Sequence, residues 1–464
     1  MSLETLQDVF VTKIYPALLV LFFFGLTIFI HELGHFLVGM WRGMKIERFS
    51  VGFGPKIFGW TKDGVEYRLS WIPFGGYVAL PQMSPMEAIE GKTEASAEEL
   101  PPAPPLSKTL VAFAGPLMNV ALALLLATVL WIAGKPMNTP IVGWVETGSA
   151  EELAGIQPGD KIVEVNGRRI RTWTQLMETV AFSRTPDARL TIDRTGQRHE
   201  VLVESKVNER LEVKMLEIYP RNHPFAQNVL TGSAAERAGL KGGDEFVSIE
   251  GVPIYSSEQL RSLIGKRTDL PTTVKVLRRG EPLTLTVTPE LNPDEKVGRM
   301  GVQLGDRLEI VRPGPNPLDQ FRDVLGSMVG LIKALMHSKE TGVGPSSVSG
   351  PVGILGLWWY GIVTGGLLQG INIAVMLNLN FAVINLFPLP ILDGGHIVFA
   401  AIEAIRRRPL NARIVQALST TFAVLLITFM LYVTVFDFKR FFGFRFGQSA
   451  PPAQTNEVSP ATQP

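Results

Sequence analysis

The sequence predicts an α-helical membrane protein with four transmembrane helices, a small membrane-associated β-hairpin sheet and two tandem α+β domains outside the membrane. Two observations lead to this fold class. Four apolar runs approach or exceed the ~20 residues that a membrane-spanning helix needs, in a chain of 464 residues of which 46% are hydrophobic. A long soluble stretch between the second and third runs repeats its own pattern, which indicates a duplicated domain.

The overall composition excludes several classes of protein. The formal net charge is +1, so the charge balance gives no indication of a nucleic-acid partner. The chain contains no cysteine, which excludes disulfides and thiolate metal sites. Glu4 and Asp8 interrupt the basic region that a cleaved secretory signal would have, so we expect the first apolar run to remain as a span.

The first apolar run, Ile14 to Trp41, contains the sequence HELGH at residues 31–35. Residues four apart lie on one face of a helix, roughly 6 Å from each other, so His31 and His35 are predicted to hold one Zn²⁺. Glu32 is predicted to be the general base that takes a proton from water. A chance match that binds no metal is the alternative, but ionisable groups inside a span are costly and indicate function.

Two histidines do not complete a catalytic zinc site, which needs three protein ligands and a water. Val38 and Trp41 occupy the positions at which metzincins continue the motif with Gly and His, so the third ligand lies elsewhere. The third apolar run leads into NLFPLPILDGGH at residues 385–396, and Asp393 is predicted to be that ligand. A helix-end turn is the alternative reading of Asp393. His396 is read as a fourth ligand, a partner of a ligand, or a bystander.

The segment between the first two apolar runs predicts a β-hairpin. Asp63-Gly64 is a strong hairpin turn signal between two stretches of alternating apolar and polar residues. We expect an edge strand around Val65–Trp71, with Tyr67 and Leu69, to pair with an extended substrate, because proteolysis requires the substrate helix to unwind. An ordinary surface hairpin is the alternative.

The soluble stretch contains two repeats at an offset of ~84 residues. Gly148-Ser149-Ala150 recurs as Gly232-Ser233-Ala234, and Gly159-Asp160 recurs as Gly243-Asp244. The shared pattern resembles PDZ domains of bacterial envelope proteases. PDZ domains bind peptide termini or extended segments by strand addition; the alternative is that the two repeats serve only as steric bulk.

The apolar runs, the glycine and proline residues that interrupt helices, and the charged stretches divide the chain into segments. The apolar parts of the second, third and fourth spans are expected near 110–133, 370–388 and 415–436. The predicted segments are 1–41 (first span with the HExxH motif), 42–80 (cytoplasmic-side hairpin or re-entrant loop), 81–105 (acidic, proline-rich linker), 106–134 (second span), 135–220 and 221–306 (the two PDZ-like repeats), 315–345 (amphipathic surface helix), 350–408 (third-span region), 412–437 (fourth span) and 448–464 (disordered tail).

Two basic loops predict the topology. Residues 42–48 follow the first span, residues 406–413 precede the fourth, and positive charge marks the cytoplasmic side. Both termini and the repeats are therefore expected on the outer, periplasmic side, with the predicted metal site near the cytoplasmic face. Basic residues after the fourth span weigh against this topology, though less than the two loops weigh for it.

The combination of motifs resembles the site-2 protease family of intramembrane zinc metalloproteases. It consists of HELGH at 31–35, the paired repeats, and the pattern N-x-x-P-x-P-x-L-D-G at 385–394, and it covers nearly the whole chain. Gly115-Pro116-x-x-Asn119 and Gly350-Pro351-Val352-Gly353 also resemble family segments. Residues 81–105 have no counterpart in the family pattern.

The resemblance implies an activity, a location and further site residues. It implies cleavage of transmembrane segments of single-span membrane proteins in the bacterial inner membrane, typically anti-sigma factors already trimmed outside, and of remnant signal peptides. The PDZ pair would exclude untrimmed substrates. Four residues would hold the substrate strand beside the zinc: Asn380, Asn385, Pro388 and Pro390.

Two other functional classes share some of these features, but each leaves others unexplained. A PDZ-bearing membrane adaptor without catalysis would not need His31, Glu32, His35 and Asp393 together. A metal transporter could use intramembrane His and Asp, but it would need neither a base beside the metal nor tandem repeats.

Overall fold

The computed structural model describes residues 10–83, 100–208, 213–292, 296–344 and 349–445. The predicted tail at 448–464 and most of the predicted linker at 81–105 lie outside these ranges. The chain forms two compact units. Among the described residues, the membrane unit comprises those within 10–137 and 310–436, and the repeat unit comprises those within 138–309 and 437–445.

The described residues form eleven α-helices and twenty strands. In order, the α-helices are α1 (Tyr15–Trp41), α2 (Pro105–Ala133), α3 (Ala150–Leu153), α4 (Trp173–Ala181), α5 (Ala234–Arg237), α6 (Ser257–Gly265), α7 (Pro317–Met336), α8 (Ser338–Thr341), α9 (Pro351–Asn385), α10 (Asp393–Arg406) and α11 (Ala412–Arg445). The strands are β1 (Arg48–Lys62), β2 (Val65–Ala79), β3 (Lys135–Met137), β4 (Val142–Val145), β5 (Lys161–Val165), β6 (Arg168–Arg169), β7 (Asp187–Arg194), β8 (Gln197–Glu204), β9 (Lys206–Asn208), β10 (Val213–Met215), β11 (Ile218–Pro220), β12 (His223–Val229), β13 (Glu245–Ile249), β14 (Val252–Pro253), β15 (Thr272–Arg278), β16 (Glu281–Val287), β17 (Glu290–Asn292), β18 (Val297–Arg299), β19 (Val302–Arg307) and β20 (Glu309–Val311).

Four helices in the described residues are long and apolar enough to cross a membrane, as predicted. They comprise Tyr15–Trp41, Pro105–Ala133, Pro351–Asn385 and Arg413–Phe438. The second begins with a proline in its first turn, where the missing N–H costs no helical hydrogen bond.

The third apolar helix differs from the predicted span at 370–388. Helix α9 begins at Pro351, and Gly366 interrupts it with φ +66°. The indole Nε1 of Trp358 donates to the carbonyl of Gly370, 3.0 Å away, whereas twelve residues of straight helix would separate these positions by about 18 Å. The first half of α9 therefore folds back onto the second half. The helix ends before Pro388 because a proline inside it would break the hydrogen-bond ladder.

Helices α1 and α2 approach closely in the membrane unit. A Cβ atom at Gly34 would lie 2.5 Å from the carbonyl oxygen of Ala114, so only glycine permits this approach. Small residues serve the same purpose in membrane helix pairs generally. Further along the helices, Phe23, Ala127 and Trp358 belong to one buried apolar cluster formed by α1, α2 and α9.

The amphipathic helix α7 packs on this bundle. Its Gln320 side chain is buried and donates to the carbonyl of Ala127, 3.1 Å away, while Phe321 and Val324 lie against the apolar cluster of α1, α2 and α9. Asn316 caps its first turn by accepting from the N–H of Asp319, 2.9 Å away. One face of α7 is thus covered by protein.

Strands β1 and β2 form an antiparallel hairpin whose register is strongly bulged. Asp63 and Gly64 connect them with φ of 52° and 80°, as a type I′ turn requires. The bulges fold the two strands into four short segments. Their spatial order is 76–79, 48–51, 66–69 and 58–62.

The prediction of an open edge around Val65–Trp71 is therefore wrong. Its central part, with Tyr67 and Leu69, is paired on both sides, because residues 48–51 pair with it on the side opposite its hairpin partner. Alternating hydrophobicity cannot reveal this second pairing. Within the described part of the chain, the segments with one strand partner are 58–62 and 76–79.

An ion pair also links these segments. Arg48 Nε donates to the Glu66 carboxylate at 2.8 Å, and this hydrogen bond lowers the pKa of Glu66. Lys56 contributes a second contact, at 3.1 Å.

The two repeats carry the same local interactions. Ser149 and Ser233 each cap a short helix by accepting from the N–H three residues later, at 3.1 and 3.3 Å. Asp160 and Asp244 are buried, and each pairs with an arginine 34 residues later, Arg194 or Arg278. Leu176 and Leu260 occupy equivalent positions in the two repeats, and each lies in the core of its own repeat.

The sheets of the repeat unit are antiparallel. In the first repeat, four strands lie in the order β6-β5-β7-β8, and β11 pairs with β4. In the second repeat, the order is β16-β15-β13-β12-β19, with β14 beside β13.

Candidate active site

The two histidines of HELGH meet on one face of α1. Their Nε2 atoms lie 3.1 Å apart, and the rings are nearly perpendicular, at 85°. Two imidazole nitrogens directed at one point are the arrangement that a shared metal ion requires.

Asp393 completes the group. One carboxylate oxygen lies 3.3 Å from His31 Nε2 and the other lies 3.4 Å from His35 Nε2. The three donor atoms all lie within 4.8 Å of one another. His396 is outside this donor group, so the reading of His396 as a fourth ligand has no support from the geometry.

The local sequence explains how Asp393 reaches the histidines. Residues 386–392 leave the helical conformation after α9, and α10 begins at Asp393 itself. Gly394 and Gly395 permit a tight turn, because a Cβ atom at either position would collide with the carbonyl oxygens of Leu386 or Leu389.

Hydrogen bonds from neighbouring helices orient the histidine rings. His35 Nδ1 lies 2.8 Å from the carbonyl oxygen of Val111, so its N–H donates there and Nε2 keeps its lone pair. The Asn119 side-chain amide lies 3.3 Å from His31 Nδ1, and its Oδ1 is buried without a partner among the described residues. The amide orientation that satisfies both groups has Oδ1 accepting from His31 Nδ1–H.

The site fits a zinc ion. The Oδ2 atom of Asp393 is buried and lacks a hydrogen-bond partner in the part of the chain described, as expected for an oxygen that binds a cation. A Cβ atom at Gly115 would collide with the rings of His31 and His35, so glycine keeps the space beside the donor atoms open. Two imidazoles and one carboxylate are a donor set that catalytic zinc uses.

Glu32 lies between α1 and the hairpin. Its side chain is 8% exposed, and a Cβ atom at Gly76 would lie 3.0 Å from Glu32 Cγ. The hairpin segment next to the predicted general base is thus 76–79, and not 65–71.

The other predicted substrate residues lie in two places. Asn380 and Asn385 belong to the second half of α9, and Asn380 Oδ1 is buried without a partner within the described residues. Pro388 and Pro390 lie in the connection to Asp393. The Pro390 carbonyl accepts from Ser419 Oγ at 3.0 Å.

The structure places Tyr67 in an aromatic cluster. Its ring stacks on Trp60, makes an edge contact with Phe36 and lies tilted against Phe49. Together with the pairing of residues 66–69 on both sides, this gives Tyr67 a packing role in the hairpin.

An ion pair that the sequence did not predict lies behind the site. Lys108 Nζ on α2 lies 2.8 Å from the Glu403 carboxylate on α10, and both side chains are largely buried, at 13% and 10% exposure. The other Glu403 oxygen accepts from the N–H of Leu410, 3.0 Å away. This pair ties the helix that begins with Asp393 to α2, and no spacing rule could have found partners 295 residues apart.

These features define a metal-dependent hydrolytic site enclosed by helices that can span a membrane. The model of Peptidase family M50 matches residues 19–429, and the chain belongs to this family of peptidases. The predictions of a site-2 type protease, of an enzyme and of zinc as its cofactor are confirmed by this membership.

Curated relatives extend over most of the chain. Regulator of sigma-E protease RseP of Escherichia coli (strain K12) is 30% identical over 455 residues, covering 90% of this chain and 96% of the relative. A putative zinc metalloprotease of Neisseria meningitidis is 31% identical over 454 residues, covering 90% and 98%. Protease RseP of Yersinia pestis is 29% identical over 450 residues. These relatives and the four apolar helices indicate a multi-pass protein of the bacterial inner membrane.

We expect His31→Ala, His35→Ala and Asp393→Asn each to lose stoichiometric zinc, because each removes one of three donors. Asn119→Leu removes only an orienting contact and should weaken zinc binding by roughly 10–100-fold. The measurement is the metal-to-protein ratio of purified protein in detergent during titration with a chelator. His396→Ala is the control and should keep its zinc; full occupancy in a ligand variant would remove that residue from the donor set.

Breaking the buried ion pair should destabilise the membrane unit. Glu403→Leu leaves Lys108 as an uncompensated buried charge, at a cost of about 3–5 kcal/mol, whereas Lys108→Leu with Glu403→Leu should recover much of that loss. Thermal unfolding in detergent checks both. Lys56→Ala removes a more exposed ion pair and should cost less than about 1 kcal/mol. Equal stability of the single and double leucine variants would contradict the pairing.

Proposed function

We propose that the protein cleaves peptide bonds within transmembrane segments of single-span membrane proteins. The observation that carries this proposal is the placement of His31, His35 and Asp393 among helices that can cross a membrane. A peptide bond of a lipid-embedded segment can reach such a site by moving sideways in the bilayer, whereas a soluble peptide would have to leave water.

The proposed substrates are anti-sigma factors in envelope-stress signalling, together with remnant signal peptides. The resemblance to site-2 proteases supports this substrate class. Two of the relatives above carry the name RseP, and one of them is named as a regulator of sigma-E.

The proposed orientation places the repeats on the periplasmic side and the active site near the cytoplasmic face. The basic loops at 42–48 and 406–413 support this topology through the positive-inside tendency. With the repeats outside, a PDZ-like pair could exclude substrates that still carry a large outer domain.

Glu32 is the proposed general base. Bound zinc would supply Lewis-acid activation of the water and the scissile carbonyl. Glu32 follows His31 directly on α1 and is buried. In this proposal its carboxylate accepts a proton from the water and returns it to the leaving amine.

The substrate strand is proposed to lie along hairpin segment 76–79. This segment has one strand partner among the described residues and borders Glu32 at Gly76. An unwound substrate needs main-chain partners, which a strand with one free side supplies. Asn380, Asn385, Pro388 and Pro390 are proposed to hold the other side of that strand.

Replacing Glu32 tests the proposed function directly. Glu32→Gln should retain zinc and lose turnover by roughly 10²–10⁴-fold, the range for loss of a general base. Cleavage of a tagged single-span substrate and zinc content are measured side by side in wild type and variant. If the Glu32→Gln protein were still active, Glu32 could not be the general base. Equal zinc with no cleavage by either protein would contradict the proposed substrate class, if a substrate without its outer domain also stays intact.

Gly76→Ala should lower the turnover number while zinc content stays the same. The added Cβ would lie 2.8 Å from the Ser50 carbonyl oxygen and 3.0 Å from Glu32 Cγ, so strand and base must separate. A displacement near 1 Å in a catalytic site costs up to about 10²-fold in rate. Gly25→Ala on α1 is the control, since no atom lies within 4 Å of its Cβ position. Unchanged turnover in Gly76→Ala would separate segment 76–79 from catalysis.

A further inference from the structure

A buried polar contact joins α1 to the second half of α9. The side-chain amide of Asn378 donates to the hydroxyl of Thr27, 2.9 Å away, and to the carbonyl of Ala374 on its own helix, 2.8 Å away. Asn378 is 0% exposed and Thr27 is 2% exposed. The contact therefore lies inside the protein, between two helices that are long and apolar enough to cross a membrane.

The orientation of this amide is determined by its neighbours. The Ala374 carbonyl can only accept a hydrogen bond, so the side-chain nitrogen of Asn378 must face it. With the nitrogen in that place, Oδ1 is buried without a partner among the described residues. An unsatisfied buried acceptor lowers stability. The contact is therefore not the one that would stabilise the two helices most.

An apolar side chain at position 378 would leave no other polar group of this contact without a partner. The Thr27 hydroxyl also donates to the Phe23 carbonyl, 2.9 Å away and one turn earlier on α1. The Ala374 carbonyl lies four residues before Asn378 in α9, where the helical ladder supplies a main-chain donor. Leucine has the same branched shape as asparagine, and we expect it to be tolerated here without loss of stability.

The contact lies on the helix faces that carry the active site. Thr27, His31 and His35 follow one another at intervals of four residues, so they share one face of α1. Asn378 and Asn385 are seven residues apart, two turns of α9, and they share a face in the same way. The hydrogen bond therefore connects the histidine face of α1 to the face of α9 that ends in Asn385.

Both helices run from this contact towards the metal site. Helix α1 continues to the histidines, and α9 leads through residues 386–392 to Asp393, which lies beside them. At 1.5 Å per residue, Asn385 is about 10 Å further along α9 than the contact, and the two histidines are about 6 and 12 Å further along α1. The contact thus brings Asn385 to the level of the histidines.

The residues on either side of Asn378 do not determine this level. One turn before it and one turn after it are Ala374 and Ala382, each 1% exposed. Small side chains let membrane helices approach closely, but they form a smooth surface along which one helix can slide past another. In coiled coils, a single buried asparagine specifies the register of paired helices at a cost in stability.

We propose that Asn378 is a positioning residue that fixes the axial register of α9 against α1 through its hydrogen bond to Thr27. The register holds Asn385, at the rigid end of α9, beside the metal site. Asp393 depends on it less, because the non-helical residues 386–392 separate Asp393 from α9. For its effect on cleavage, this role rests on the proposed function of Asn385 in holding the substrate.

Distances between spin labels test the register directly. The chain has no cysteine, so labels attach only at Leu367→Cys on α9 and Met40→Cys on α1, two exposed positions about 36 Å apart along the helix axes. Asn378→Leu should change the mean or the width of this distance distribution by about 1.5 Å or more, the rise of one residue. A second pair, Met40→Cys with Leu125→Cys on α2, should not change. An unchanged distance between α1 and α9 would overturn the proposal.

Activity and stability separate a positioning role from a purely structural one. In Asn378→Leu, kcat/KM for a tagged single-span substrate should fall roughly 10-fold or more, since a displacement near 1 Å costs up to about 10²-fold in rate. Zinc content should stay the same, and the midpoint of thermal unfolding in detergent should not fall. Asn372→Leu is the matched control, because the Asn372 amide donates to Gln369 of the same helix, 3.3 Å away. A lower midpoint in Asn378→Leu and in the Thr27 variant below would overturn the proposal.

Thr27 provides a second variant of nearly unchanged size. Thr27→Val removes the acceptor and should reproduce both the changed distance and the lower activity, whereas Thr27→Ser keeps the hydroxyl and should behave as wild type. Thr128→Val on α2 is the control, because the Thr128 hydroxyl bonds to the Leu124 carbonyl of its own helix. Thr27→Val combined with Asn378→Leu should be no less active than Asn378→Leu alone, since both remove one bond. Losses that multiply would overturn the pairing.

The two measurements fail in different ways. If wild type does not cleave the substrate, the result counts against the proposed function, whereas the spin-label distances still decide the register. A changed distance with unchanged cleavage in Asn378→Leu would overturn the role of the register in positioning Asn385.

Discussion

The close approach of α1 and α2 is the constraint on which the catalytic unit depends. Gly34 and Gly115 remove the side chains that would otherwise keep these helices apart and cover the histidines. The approach brings the Val111 carbonyl and Asn119 to the outer nitrogens of His35 and His31, which leaves both inner nitrogens directed at one point. Polar groups inside a membrane are tolerated only when each has a partner. The residues that allow α1 and α2 to pack closely therefore also give the histidines their hydrogen-bond partners.

A break between two helices brings Asp393, the predicted third ligand, to the two histidines. Prolines and glycines end α9, carry the chain through a short non-helical connection and start α10 at Asp393. The Lys108–Glu403 pair then holds α10 against α2, the helix that also orients the histidines. Helix α2 therefore holds both the histidines and the helix that carries Asp393 in position, although α2 itself supplies none of the predicted metal ligands.

Local rules were sufficient for the parts of the structure that depend on periodicity or turn chemistry. The i, i+4 spacing of His31 and His35, the Asp63-Gly64 turn and the offset of the repeats could each be read from neighbouring residues. The double pairing of Tyr67 and Leu69 depends on bulges that bring residues 48–51 alongside, and hydrophobic alternation carries no information about it. The fold-back at Gly366 was missed because both halves of α9 are apolar and no charged residue separates them.

The repeats illustrate how duplicated scaffolds can diverge. The buried Asp–Arg pairs and serine caps are the same in both copies, because each fixes a turn that the fold requires. The two copies differ at other positions: Ala235 stands in the second repeat where the first has Glu151, and Leu304 stands where the first has Pro220.

The fold-back at Gly366 fixes where the second half of α9 begins, and therefore its length. A bend frees main-chain N–H and C=O groups that lipid cannot satisfy, so such a bend belongs at the boundary between hydrocarbon and water or against protein. Residues 367–385 then extend about 28 Å at 1.5 Å per residue, close to the ~30 Å thickness of the hydrocarbon layer. The length of this half-helix sets the distance along the bundle from Gly366 to Asn385, where the helix ends and the chain turns towards Asp393. An insertion within it would shift the carboxylate relative to the histidines without altering any residue of the site.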